Sequence, residues 1–161
     1  MTPDFPKRVY TFEEVEKARK LVESGYKHRL TIKGRPGFKK RVKEALQHVK
    51  TAGYYIFLRS YIKRIVEIEG FSQLREADIA IWANMQLLEN PIEAAGFFVQ
   101  KAFQMKQFLE GKSYYGGAAE ARSIERRIQF LKALKERSAD SSVEKACEAL
   151  LKRWAESTFV F

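Results

Sequence analysis

Apolar residues recur along most of this chain at the spacing of an amphipathic helix. Val15, Ala18, Leu21 and Val22 fall on one stripe, as the three-and-four residue period of a helix requires. Thr11 and Glu14 open that stripe as a capping box, and Gly25 supplies the left-handed stop that helices favour. From Phe38 a second stripe carries Val42, Ala45, Leu46, Val49, Ala52 and Ile56. Beyond Gly53 the apolar set of Tyr54, Leu58, Tyr61, Ile62 and Ile65 lies on the opposite side of the same wheel. A stripe that crosses over within one turn predicts a break near Thr51–Gly53, so residues 38 to 69 read as two helices or one bent helix.

The later segments follow the same period. Ser72 can cap a helix to about Glu89, with Leu74, Ile79, Trp82 and Met85 facing inward. Asn90-Pro91-Ile92-Glu93 combines a cap, a first-position proline and an early acid, which opens a fourth helix ending at Gly111. A loop, KSYYGG, leads to a fifth helix from Ala118 to Arg137, and Ser141 with Glu144 boxes the start of a sixth. Strand signals are nearly missing. Residues 26–37, YKHRLTIKGRPG, read as an extended basic arm with room for one short strand, because Gly34, Pro36 and Gly37 break any helix there. Residues 1–10 read as an extended N-terminal segment, and the TFVF tail at 158–161 as an apolar end that folds back on the core or docks on a second copy. The fold class is therefore all-α: a single helical domain over residues 1–161, built as a compact bundle of about six to seven helices in hairpins. The D-x-x-V-x-x-A-x-x-A-L spacing from Asp140 to Leu150 resembles the second helix of a HEAT repeat, but no fixed period recurs elsewhere.

Composition changes this picture mainly through charge. At 161 residues with 45% apolar and 31% charged side chains, the chain can bury a core. No run approaches the roughly 18 apolar residues needed to cross a bilayer, and the opening MTPDFPKRVY lacks the apolar stretch of a secretory signal. Cys147 is the only cysteine, which excludes an internal disulfide and a thiolate metal cluster and predicts a buried thiol. These absences point to a cytoplasmic protein with no membrane partner. The formal net charge is +10, and residues 27 to 64 alone hold twelve Lys or Arg against the single acid Glu44. Ordinary solvated faces intersperse acids with bases; a block of one sign makes most sense when a partner neutralises it.

Motifs for chemistry are sparse. GKS at 111–113 has Lys106 where a phosphate-binding loop needs its leading glycine, and a helix precedes it where that loop needs a strand. There is no H-E-x-x-H and no G-x-S-x-G. With two histidines, neither preceded by Glu at three places, and one cysteine, no metal site and no cofactor is expected. Arg41 and His48 stand seven apart and so lie on one helix face. Their spacing resembles the Arg-x(4–6)-His motif of HEPN-type RNases. The resemblance implies an arginine steadying the scissile phosphate and a histidine handling the proton, usually across a dimer. Val42 departs from the polar residue that the family usually carries after the arginine.

The reading that the charge supports is a non-enzymatic helical protein that binds nucleic acid through phosphate contacts, as a subunit of a larger complex. Lys27, Arg29, Lys33 and Arg35 on the arm would line up with Lys39, Lys40, Lys43 and Lys50 on the helix. Tyr54, Tyr55 and Tyr61 sit at helical spacing and read as core, and Tyr114 and Tyr115 as packing residues in a loop. Two alternatives stay open: a scaffold whose basic face meets an acidic protein or which self-associates through TFVF, and an RNase using Arg41 and His48.

Overall fold

Short runs rich in β-branched and small residues, rather than helical stripes, set the architecture of the middle of the chain. In the computed structural model, which describes residues 4–158, Thr31–Lys33 (β1), Arg64–Glu67 (β2), Gln73–Arg75 (β3) and Ala80–Ala83 (β4) form one sheet. Its order is β1-β2-β4-β3; β1, β2 and β4 run parallel and β3 is an antiparallel edge. Six α-helices pack with it among the described residues: Phe12–Glu23 (α1), Pro36–Thr51 (α2), Tyr55–Tyr61 (α3), Pro91–Leu109 (α4), Gly117–Arg137 (α5) and Ser141–Thr158 (α6). The all-α bundle is thus corrected to a mixed α/β fold.

The error has a physical source. Each strand is three or four residues long, too short to display a period of two. β4 is an apolar run with Ala80, Ile81 and Ala83 buried, as a strand paired on both sides tends to be. Such a run cannot be told from buried helix by pattern alone. Ser72 does not cap a helix: its hydroxyl accepts the Asn84 amide at 3.0 Å and ties the open end of the β3–β4 hairpin. Residues 72 to 89 are therefore β3, a 3₁₀ turn, β4 and a second 3₁₀ turn. Likewise the apolar set that follows Gly53 divides between α3 and β2, with Leu58, Ile62 and Ile65 all fully buried.

Parallel neighbours need a crossover, and α2 with α3 supplies it between β1 and β2. The swing of the apolar stripe is where α2 stops: Ala52 caps it, and Gly53 turns the chain at φ +82°. Arg137, at the end of α5, donates from Nη1 to the Ala52 carbonyl at 2.9 Å and occupies the place where a Cβ on Gly53 would stand. Ile79, the only described non-glycine residue in the left-handed region (φ 57°), links the first 3₁₀ turn to β4. Strain of about 1–2 kcal/mol at such a residue is offset by full burial of its side chain and by its carbonyl accepting the Lys63 amide at 2.7 Å.

Helix α4 is the axis of the packing. Asn90 caps it, with its side-chain oxygen accepting the amides of Ile92 and Glu93 at 3.1 Å each. It packs against α1, α2, α3, α5 and α6 and touches β3. Phe38, Leu58, Ile65, Ile81, Phe98 and Phe130 join in one core around it. The N-terminal segment is bound rather than free, since Val9 is fully buried and donates to the Ala77 carbonyl at 3.0 Å. Of the expected apolar tail at 158–161, residues 159–161 lie outside the described residues, and Thr158 ends α6. No described helix is long and apolar enough to cross a membrane.

Gly34 joins β1 to α2 where a Cβ would lie 2.6 Å from Phe38 Cδ1 and 2.9 Å from Glu67 Cβ. Gly34→Ala should therefore destabilise the fold by about 1–3 kcal/mol. Gly37→Ala, whose Cβ meets nothing within 4 Å, should be neutral or stabilise α2 by up to about 1 kcal/mol. Urea titration of the two variants checks both signs.

Candidate functional site

The outer face of α2 is built by its own amphipathicity. Phe38, Val42, Ala45, Leu46 and Val49 are buried against the core, which leaves Lys39, Lys40, Lys43 and Lys50 exposed on the other side. Pro36, Lys39, Lys40, Lys43 and Glu44 line one shallow depression beside the helix N-terminus. Arg35 is the N-cap residue and makes no side-chain cap there, so the first turn keeps free amides as well. Among the described residues, no ion pair engages Lys39, Lys40, Lys43 or Lys50. Lys50 instead stands over the Tyr55 ring, 4.7 Å from its centroid. The depression is thus one local patch of positive potential, with Glu44 as the only acid in its lining.

The arm does not extend this patch as a continuous line. Arg35 is committed to Glu67, with Nη2 to Oε2 at 2.6 Å, Nε to both carboxylate oxygens, and its own backbone amide to Oε1 at 3.0 Å. These bonds hold the Glu67 carboxyl below its ordinary pKa and fasten the end of β1 to β2. Lys33 is exposed on β1, one strand's length from Lys27 and Arg29, which precede that strand. The Lys27 ammonium donates to the Gly25 carbonyl at 3.2 Å. Of the eight residues read as phosphate contacts, the structure therefore gathers Lys39, Lys40 and Lys43, sets Lys50 two turns on, and separates the rest.

Arg41 and His48 share α2 but meet different neighbours. The guanidinium of Arg41 reaches the Leu88 carbonyl at 3.5 Å. His48 is half-buried near Asp140 at the start of α6, and burial lowers its pKa more than Asp140 and Glu44 raise it. Cys147 is buried in α6, and burial pushes its thiol up to about 11, where it is a poor nucleophile. Tyr54 packs edge-on against Phe130, and Tyr61 against Phe57, so both belong to the aromatic core. Tyr114 packs on Phe108 in the loop, while Tyr115 stays 70% exposed.

A buried polar hub between α4 and α5 escaped the sequence reading. Gly96 makes room for it, because Arg127 lies across α4 where a Cβ would sit 3.1 Å from Nε. Arg127 donates to Gln100 Oε1 at 3.1 Å and to the Glu93 carbonyl at 3.2 Å, and stands over the Trp154 ring. Burial lowers its pKa to about 10. Gln100 passes the chain on to Ser123 Oγ at 3.0 Å, and Gln104 bonds the Tyr114 carbonyl and accepts from Lys101. Gln100-Lys101-x-x-Gln104 has the spacing of H-E-x-x-H, in which the two histidines hold a metal on one face and the glutamate acts as a base. Here amides and an ammonium stand at those positions and bond to protein groups. Among the described residues, no cluster of three or more His, Cys, Asp or Glu could hold a metal ion. The signal was available: Gln100, Gln104 and Gln107 at i, i+4 and i+7 among the apolar positions of α4 mark a buried polar stripe.

At the opposite end of the sheet from α2's N-terminus, His28 precedes β1 and is 2% exposed. Its amide donates to the Arg59 carbonyl, and its ring packs against Phe5 and Tyr26. The chain matches no protein-family model, no curated protein and no solved structure.

Arg127→Ala leaves Gln100 Oε1 and the Glu93 carbonyl without that donor, and should cost about 2–4 kcal/mol in chemical denaturation. His28 adds a pH dependence. Burial, with Lys63 and Arg59 behind it, lowers its pKa to about 4, so the unfolded chain takes up the proton first as pH falls below 6.5. The stability held by the neutral ring is intact above pH 6.5 and declines towards pH 4, by up to about 3 kcal/mol. Denaturation midpoints between pH 7 and 4 should therefore fall less steeply in His28→Phe than in the parent.

Proposed function

We propose that this chain binds nucleic acid through phosphate contacts of the exposed face of α2, without reading base sequence. The observation that supports this best is the depression lined by Lys39, Lys40 and Lys43 beside the uncapped start of α2. Three ammonium groups crowded around the single acid Glu44 repel one another, and a phosphate chain relieves that repulsion while releasing its condensed cations. Lys50 and Lys33 lie further along the same element and its preceding strand and add to the attraction at longer range. Arg35 is left out of the footprint, because Glu67 already neutralises it. The footprint is small, so binding would be modest in strength and suited to a subunit of a larger cytoplasmic assembly. An acidic protein surface is the alternative partner.

Fluorescence anisotropy with labelled single- and double-stranded oligonucleotides over a series of salt concentrations tests the reading. About three to four phosphate contacts predict a log–log slope near −3 on duplex. K39E/K40E/K43E should lower affinity at least tenfold at low salt while leaving the unfolding midpoint unchanged. Salt-independent binding, or equal affinity for parent and variant, would overturn the nucleic-acid reading and leave the acidic protein as the partner to seek.

A further inference from the structure

A second cationic site lies away from α2. Residues 4–7, α1, and the residues preceding β1 and β2 line an open surface cavity of about 540 Å³. That volume is within the range of small-ligand pockets. Lys7, Lys17 and Lys63 line it together with His28, Phe5 and Tyr26, and Asp4 is the only acid in the lining. Among the described residues none of the three ammonium groups makes an ion pair. On α1, Glu14 accepts amides at the helix start and Glu16 pairs with Lys20, while Glu13, four residues before Lys17, makes no ion pair with it.

Two further observations point the same way. Lys63 has Arg64 and Lys7 as its charged neighbours, so its ammonium is disfavoured by like charge as well as by burial. His28, which lines the cavity, is almost wholly buried, yet its Nε2 has no hydrogen-bond partner. An unpartnered buried nitrogen is costly and rare, and here it accompanies lysines that make no ion pair. Phe5 stacks on Tyr26 at 5.0 Å and meets His28 edge-on at 4.4 Å, which gives the wall a rigid aromatic side.

We propose that this cavity binds a phosphomonoester dianion, held between Lys7, Lys17 and Lys63. A phosphate carries close to two negative charges and several acceptor oxygens at neutral pH, which matches a site of three unpaired ammonium groups. The same dianion occurs on a free small molecule and at the 5′ end of a nucleic acid. The proposal does not rest on the α2 face, which shares no lining residue with this cavity.

Titration of the full chain with adenosine 5′-monophosphate, inorganic phosphate, and oligonucleotides with and without a 5′-phosphate tests it, read by calorimetry and by the His28 imidazole resonances. Saturable binding is expected, at least tenfold weaker in K17Q/K63Q and unchanged in K39E/K40E/K43E. The His28 titration should move up towards its ordinary value when the dianion is bound. Lys17 is exposed, so K17Q alone keeps the fold intact and provides a second variant. Binding of adenosine monophosphate assigns a free phosphomonoester as the source. Binding only of the 5′-phosphorylated oligonucleotide, weakened by K17Q, assigns a nucleic-acid end. No saturable binding of any of these up to about 10 mM, or affinities equal in parent and K17Q/K63Q, would overturn the site.

Discussion

Helix α4 packs among five other helices and the edge of the sheet, so polar side chains on it must find partners within the protein. Arg127 meets that requirement by reaching from α5 across Gly96 to Gln100 and the Glu93 carbonyl, with Trp154 of α6 beneath its guanidinium. A buried guanidinium stays charged at neutral pH, so a donor left without an acceptor costs stability. Its geometry therefore couples the register of α4 to that of α5 and to the approach of α6. Gln104 extends the same coupling to the loop before α5 through the Tyr114 carbonyl. The C-terminal hairpin is thus held by directional bonds as well as by the apolar contacts of Phe130, Leu131 and Leu134.

The sheet side of the molecule depends on a different device. β1 is three residues long and bonds only to β2. Its far end is fixed by Arg35 and Glu67, and its near end by the amides of His28 and Thr31, bonded to the carbonyls of Arg59 and Lys63. Gly34 allows Glu67 to approach the connection closely enough for the ion pair. These clasps use up Arg35 and bring His28 close to Lys63 and Arg59. They also part the basic block: Lys39, Lys40 and Lys43 share a face of α2, while Lys63 joins Lys7 and Lys17, from outside the block, at the other end of the strands.

Much of the helical structure was legible beforehand. The Thr11–Glu14 box, the Asn90-Pro91 start and the break at Thr51–Gly53 are local events, set by hydrogen bonds and sterics within a few residues. The sheet was not, because strands of three or four residues carry no readable period and gain their stability from partners far along the chain. Ser72 shows the ambiguity in one residue: a hydroxyl before an apolar run can cap a helix or bond across a hairpin, and only the partner Asn84 decides. For the site, the exposure of Lys39, Lys40 and Lys43 followed from the helical wheel. The loss of Arg35 to Glu67, thirty-two residues away, did not.

By itself the sequence determined the charge block, the amphipathic helices and their caps, and the burial of Cys147, since each depends on composition or on neighbours within one or two turns. Tertiary structure alone decided that the fold has a sheet, which lysines share a surface, and which buried polar groups meet. Those outcomes depend on long-range pairings whose partners are chosen by packing, and an isolated segment carries no record of them.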